Sequence, residues 1–157
     1  MTIWDEAVQR GIPGRLEAAR RGENPTVIAR LGSGWAVLGD SQLLLGYGLL
    51  LADPEVASLE ALDASHQLAF LADMARLGRA VQAVTSCARV NYAVMGNTDP
   101  YLHAHIWARY DWEEPERRAW PVWNYPAQER AAPGVAFNLE RHAGLLEQLC
   151  AQLQSRP

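Results

Sequence analysis

Apolar residues recur along this chain in two rhythms. From Asp63 to about Cys87, Leu68, Leu71, Met74, Leu77, Val81 and Val84 return every three or four positions, the spacing that lines up one stripe of an α-helix. Asp63 stands where a side chain accepts from the first free N–H groups of that helix. From about residue 138 a closing helix places Leu145, Leu146, Leu149 and Leu153 on one face. Elsewhere the rhythm is that of strands. Residues 26–31 and 35–38 are rich in β-formers and flank Gly32-Ser33-Gly34, which predicts a hairpin. Residues 43–51 read as a largely buried strand ending near Asp53-Pro54. Residues 89–95 and 101–110 read as two more strands, joined by a loop short enough to make them antiparallel neighbours. Residues 1–22 suggest one or two short helices broken at Gly11-Ile12-Pro13-Gly14, and residues 111–134, with four prolines and three tryptophans, an irregular surface arm.

Together these elements predict a single α+β domain over residues 1–157, with a core at about 26–110 and a C-terminal helix at 138–154. An antiparallel sheet of about five strands would carry the long helix and the closing helix. No internal repeat or domain boundary is visible.

One segment combines this pattern with chemistry. Alternate residues of a strand point to opposite faces. In Tyr101-Leu102-His103-Ala104-His105-Ile106-Trp107-Ala108-Arg109, the apolar Leu102, Ala104, Ile106 and Ala108 share one face, suited to lie under a helix. Tyr101, His103, His105, Trp107 and Arg109 share the other, with the two imidazoles about 7 Å apart along the strand. Three readings fit His103 and His105: structural filling, a metal site, or nucleophilic catalysis at phosphorus. A His-x-His metal site needs further ligands. His66 and His142 lie on expected helices, and no acidic residue completes the set, so no metal or other cofactor is expected. In the third reading, one neutral imidazole attacks a phosphoryl group while a protonatable neighbour offsets the oxyanion charge.

Composition narrows the chemistry further. A formal charge of −4 gives no basic footprint for general nucleic-acid binding. All fourteen basic residues are Arg. The absence of Lys excludes a Walker-type phosphate lysine, a Schiff base and a lysine general base. The apolar run near residues 43–52 is interrupted by Gly46 and Gly48 and is too short to span a bilayer. The first residues lack the basic-then-apolar form of a secretory signal, and Cys87 and Cys150 read as reduced thiols, so a cytoplasmic location is expected. Trp4, Trp35 and Trp107 are candidates for stacking on a base, although core packing is the commoner use of tryptophan. Arg109 could steer a phosphate or form a salt bridge.

Residues 89–110, RVNYAVMGNTDPYLHAHIWARY, resemble the signature region of the histidine triad (HIT) superfamily: an Asn-bearing strand, a Gly-polar-polar loop, then histidines alternating with apolar residues. The hairpin strands around residues 35–38 and 45–50, Asp53-Pro54 and the long helix follow in the family's order. The arm, with Pro121-Val122-Trp123, is similar to a bacterial branch related to diadenosine polyphosphate hydrolases. The resemblance implies the fold expected above, commonly paired into a homodimer. It also implies hydrolysis or transfer of a nucleotidyl group from dinucleoside polyphosphates or nucleoside phosphoramidates, without an active-site metal. Carried over by position, His103 would attack the α-phosphate and form a nucleotidyl-histidine intermediate, while His105 would contact a phosphate oxygen. Asn91, Asn97 and Thr98 would lie near the phosphate or the leaving group.

Three positions depart from the family pattern. Tyr101 stands where the first triad histidine is expected, and Tyr47 where many members carry another histidine. Gly39-Asp40 replaces an Asn that approaches the ribose, and Asp40 could accept from ribose hydroxyls or simply make a turn. Tyrosine is a poor proton carrier at neutral pH. The alternative function is therefore a nucleotide-binding protein of the same fold with weak or no catalysis.

Overall fold

The computed structural model describes residues 2–155. Five strands, β1 (Val27–Arg30), β2 (Gly34–Leu38), β3 (Gly48–Ala52), β4 (Arg89–Val94) and β5 (His103–Arg109), form one antiparallel sheet in the order β1-β2-β3-β5-β4. Among the described residues six α-helices accompany it: α1 (Ile3–Gln9), α2 (Gly11–Arg20), α3 (Ala64–Thr85), α4 (Pro115–Ala119), α5 (Ala127–Arg130) and α6 (Leu139–Gln154). No helix among the described residues is long and apolar enough to cross a membrane.

The α+β sheet of five strands is as expected, and strand alternation sorts its two faces. Leu102, Ala104, Ile106 and Ala108 are buried with Leu38 and Leu50 against Phe70, Leu77 and Val81 of α3 and Leu149 and Leu153 of α6. Each such Leu or Phe contributes about 1.5–3 kcal/mol by leaving water. The opposite face is covered too. Ile12 and Leu16 of α2 pack on Val37 and Leu51, and Val122 and Tyr125 of the arm pack with Leu44 and Trp107.

The expected cap of the long helix is present, Asp63 accepting from the N–H of His66 (2.9 Å), and Asn138 caps α6 in the same way, accepting from that of Arg141 (2.9 Å). The long helix is rotated relative to the expected stripe, however. Leu68 is 69 % exposed and Leu71 38 %, whereas Phe70 is fully buried. Counting 100° per residue, Phe70, Met74, Leu77, Val81 and Val84 make one stripe, and Leu68 falls on the far side.

The expected strand over 43–51 is also shorter, because β3 begins only at Gly48. The buried Gln42 side chain organises the preceding loop. Its amide donates to the carbonyls of Gly39 (2.8 Å) and Tyr47 (2.9 Å) and accepts from the N–H of Gly46 (2.9 Å). These bonds take the place of ladder bonds, and Gly46 turns the chain at φ 89°.

Candidate active site

β5 presents both histidines on the face away from α3 and α6. His103 stands opposite Leu51 and His105 opposite Leu49 in the ladder with β3. The rings lean together, their centroids 4.8 Å apart at an interplanar angle of 73°. His103 is buried, with 6 % of its surface exposed. Its Nδ1 lies 2.6 Å from the backbone carbonyl oxygen of Tyr101. A carbonyl only accepts, so Nδ1 carries the proton and donates. In the neutral ring this places the lone pair on Nε2, the form an attacking imidazole requires.

His105 is held differently. Its Nδ1 lies 2.7 Å from the Tyr47 hydroxyl. Burial pushes that hydroxyl well above the usual tyrosine range, with the Asp40 carboxylate adding to the effect, so it stays protonated. It has no other acceptor among the described residues. Tyr47 therefore donates to Nδ1, and the His105 proton sits on Nε2. Burial, helped by the neighbouring His103, lowers His105 to about 4. At neutral pH His105 therefore offers a neutral N–H, not the charge of a protonated ring.

Its ring lies parallel to Trp107 (1°, centroids 4.8 Å), and Tyr47 lies nearly parallel to both. The Tyr47 ring rests on the backbone of Gly39, where any Cβ would come within 2.2 Å of it. The tyrosine is thus accommodated by the glycine that precedes Asp40.

The remaining residues singled out from sequence are dispersed. Tyr101 directs its side chain into the apolar cluster beneath α2, and only its carbonyl reaches His103. Asp40 is paired on both carboxylate oxygens with Arg15 of α2, so the expected ribose acceptor already holds a cation. Asn97 and Thr98 are exposed on the loop between β4 and β5. That loop is anchored by Asp99, whose carboxylate accepts from the N–H of Ile12 (3.0 Å). Asn91 stands opposite Trp107, and its side-chain oxygen accepts from Arg109 (3.1 Å).

Arg109 forms a buried ion pair with Glu113 (2.8 Å), neither a surface salt bridge nor an open phosphate contact. It also donates to the carbonyls of Arg117 and Trp120, both 2.8 Å away. Burial works to raise the Glu113 carboxyl, but hydrogen bonds from Arg109 and Tyr125 outweigh it and hold it low. The Tyr125 hydroxyl is pushed up to about 12 by burial and by Glu113. This cluster fastens the arm to β5. Sequence alternation placed Arg109 on the right face, but nothing in the spacing marked Glu113 and Tyr125 as its partners. Among the described residues, no three His, Cys, Asp or Glu side chains cluster as metal ligands.

No protein-family model matches the sequence, and no curated protein resembles it significantly. Solved structures do resemble it. A histidine triad protein of Bradyrhizobium japonicum superposes with a TM-score of 0.64 at 23% identity, covering 86% of this chain and 95% of its own. One from Marinobacter aquaeolei superposes at 0.68 with 19% identity, covering 82% and 88%. A histidine triad nucleotide-binding protein of Sulfolobus tokodaii superposes at 0.68 with 11% identity, covering 89% and 91%. The fold is that of the histidine triad proteins. On β5 of this chain His103 and His105 adjoin, with Tyr47 hydrogen-bonded to His105.

Proposed function

We propose that the chain is a nucleotide hydrolase or nucleotidyl transferase acting through His103. The observation that carries this reading is the 2.6 Å hydrogen bond from His103 Nδ1 to the Tyr101 carbonyl, because it selects the neutral tautomer whose lone pair is on Nε2. In the proposed reaction Nε2 forms a bond to the α-phosphorus of a dinucleoside polyphosphate or nucleoside phosphoramidate. The bond from phosphorus to the departing oxygen or nitrogen breaks. The imidazole ring takes positive charge, which the Tyr101 carbonyl stabilises through Nδ1–H. His105 Nε2–H donates to a phosphoryl oxygen, a contact strengthened by the low exposure of the pair. Water then cleaves the phosphorus–nitrogen bond and releases a nucleoside monophosphate.

Mass spectrometry after mixing with adenosine polyphosphates or phosphoramidates tests this. A nucleotidyl adduct on His103, lost together with product formation in His103→Ala, is expected. Turnover that survives in His103→Ala overturns it. A second reading, nucleotide binding without efficient turnover, is supported by the Tyr101 side chain packing in the α2 cluster, away from the pair. Calorimetric binding with no product would favour it.

We also propose a homodimer. β4 is an unpaired edge strand, and Tyr92, Val94 and Met95 on and beside it, with Leu68 and Leu71 of α3, are exposed apolar residues. An uncovered strand edge of this kind is a template for pairing with a second chain. A cytoplasmic setting and nucleotides as the small-molecule partner belong to the same proposal.

A further inference from the structure

A nucleotide brings negative charge to the histidine pair, a terminal phosphate alone carrying about −1.5 to −2 at neutral pH. Within one copy of the chain little positive charge meets it. There is no Lys, and His105 is neutral at pH 7. Arg15 is committed to Asp40 and Arg109 to Glu113. Arg130 borders the cavity beside His105, with its Nε held by the Tyr125 carbonyl (3.1 Å), so it belongs to the arm side. On the β4 side His105 faces only Ala93.

Arg89 is a cation without such a commitment. It is exposed on β4, and neither a hydrogen bond nor an ion pair engages it among the described residues. The register with β5 sets Arg89 opposite Arg109, Asn91 opposite Trp107 and Ala93 opposite His105, so all three share the face that carries the histidines. In its own copy, however, Arg89 lies four residues from Ala93, roughly 13 Å along the strand, too far to serve His105.

A second copy removes that distance. Two β4 edges paired antiparallel in one continuous sheet are related by a twofold axis perpendicular to it, which keeps both histidine faces on the same side. Residues that stand opposite each other must then share a face. Two registers pair most of β4. One is centred on Asn91 and sets Arg89 of the second copy opposite Ala93; the other is centred on Tyr92 and sets it opposite Met95. Both bring that arginine to the histidine end of β4, two strands or roughly 10 Å from the histidines. Ala93 interposes only a methyl group, and a groove of ≈ 830 Å³ between β4 and the arm is open down to Ala93 and Trp107. An extended arginine side chain spans most of that gap, and a phosphate on the His105 ring closes it. The planar guanidinium fork matches phosphate oxygens.

We infer that two copies of this chain share each active site, Arg89 of one meeting the phosphate held at His105 of the other. The inference rests on the reading that a phosphorylated nucleoside binds at His103 and on pairing of the β4 edges, and it makes the site incomplete in a single copy.

Calorimetry with ADP tests it, because binding is read without turnover. Arg89→Ala, at an exposed position that does not threaten folding, should weaken ADP binding by about 10- to 100-fold and leave the dimer intact in light scattering. Val94→Lys, which separates the copies, should weaken binding by the same factor. Val94 stands opposite Ala104 on the helix-covered face, so the added charge lies away from the phosphate. The double variant should bind no more weakly than either single one. Subunit exchange between Arg89→Ala and His103→Ala dimers should create one site with both groups intact, and nucleotidyl adduct formation on His103 should rise above that of either parent.

The inference is overturned if Arg89→Ala binds ADP as the wild type does, if the Val94→Lys monomer keeps wild-type affinity, or if the wild type is itself a monomer. A wild type that binds no ADP defeats both readings. ADP binding without a His103 adduct defeats the catalytic proposal alone, and the two binding comparisons still decide whether the site is shared.

Discussion

His103 and His105 are the same residue type two positions apart, yet their surroundings give them different work. In its neutral form one donates through Nδ1 to a carbonyl and carries its lone pair on Nε2; the other accepts at Nδ1 from Tyr47 and keeps a proton on Nε2. Nitrogen NMR should show His105 as the Nε2–H tautomer, still neutral at pH 5 because its value is lowered to about 4. Tyr47→Phe should turn that single tautomer into a mixture and remove about 1 kcal/mol of hydrogen bonding. The depressed value also has a thermodynamic sign. Between about 6.5 and about 4 the unfolded chain takes up a proton at this position that the folded chain refuses. Stability should therefore fall as pH drops through that window, with no such slope above it. Denaturant titrations of the wild type and His105→Asn would isolate the contribution. An anion bound against Nε2 would raise the value again, so a saturating nucleotide should flatten the slope.

At the scale of the element, β5 was the most legible part of the sequence, because alternation alone assigns each of its residues to a face. The long helix was legible in extent but less so in orientation. Leu68 fits a loose three-to-four spacing, and only the burial of Phe70 shows where the core lies. Residues 43–47 read as strand because their composition is apolar, although β3 begins only at Gly48. The determinant is one polar side chain, Gln42, whose bonds to Gly39, Gly46 and Tyr47 replace ladder pairing, and local pattern does not report such long-reaching satisfaction. The arm escaped for a similar reason, since its attachment is a buried ion pair and not an apolar stripe. Removing one partner of such a pair strands the other charge, at about 3–5 kcal/mol. Arg109→Ala should destabilise the chain by that amount in chemical denaturation, and Arg109→Met combined with Glu113→Leu should recover much of the loss.

For the whole molecule, the sheet ends unequally. Its β1 edge is short, whereas β4 offers a six-residue edge on which Tyr92 and Val94 are exposed. Pairing of β4 with β4 of a second copy should appear as a dimer in light scattering, and Val94→Lys, which places a charge on that edge, should return it to a monomer. The other long-range link runs inside the chain. Ile12 donates its N–H to Asp99, so the first helices and the loop bearing Asn97 and Thr98 share one anchor. At Gly11, where φ is 65°, an added methyl would sit 2.8 Å from an Asp99 carboxylate oxygen. A substitution there would be read out nearly ninety positions downstream, and a screen of variants would score a residue far from the histidines as though it belonged beside them.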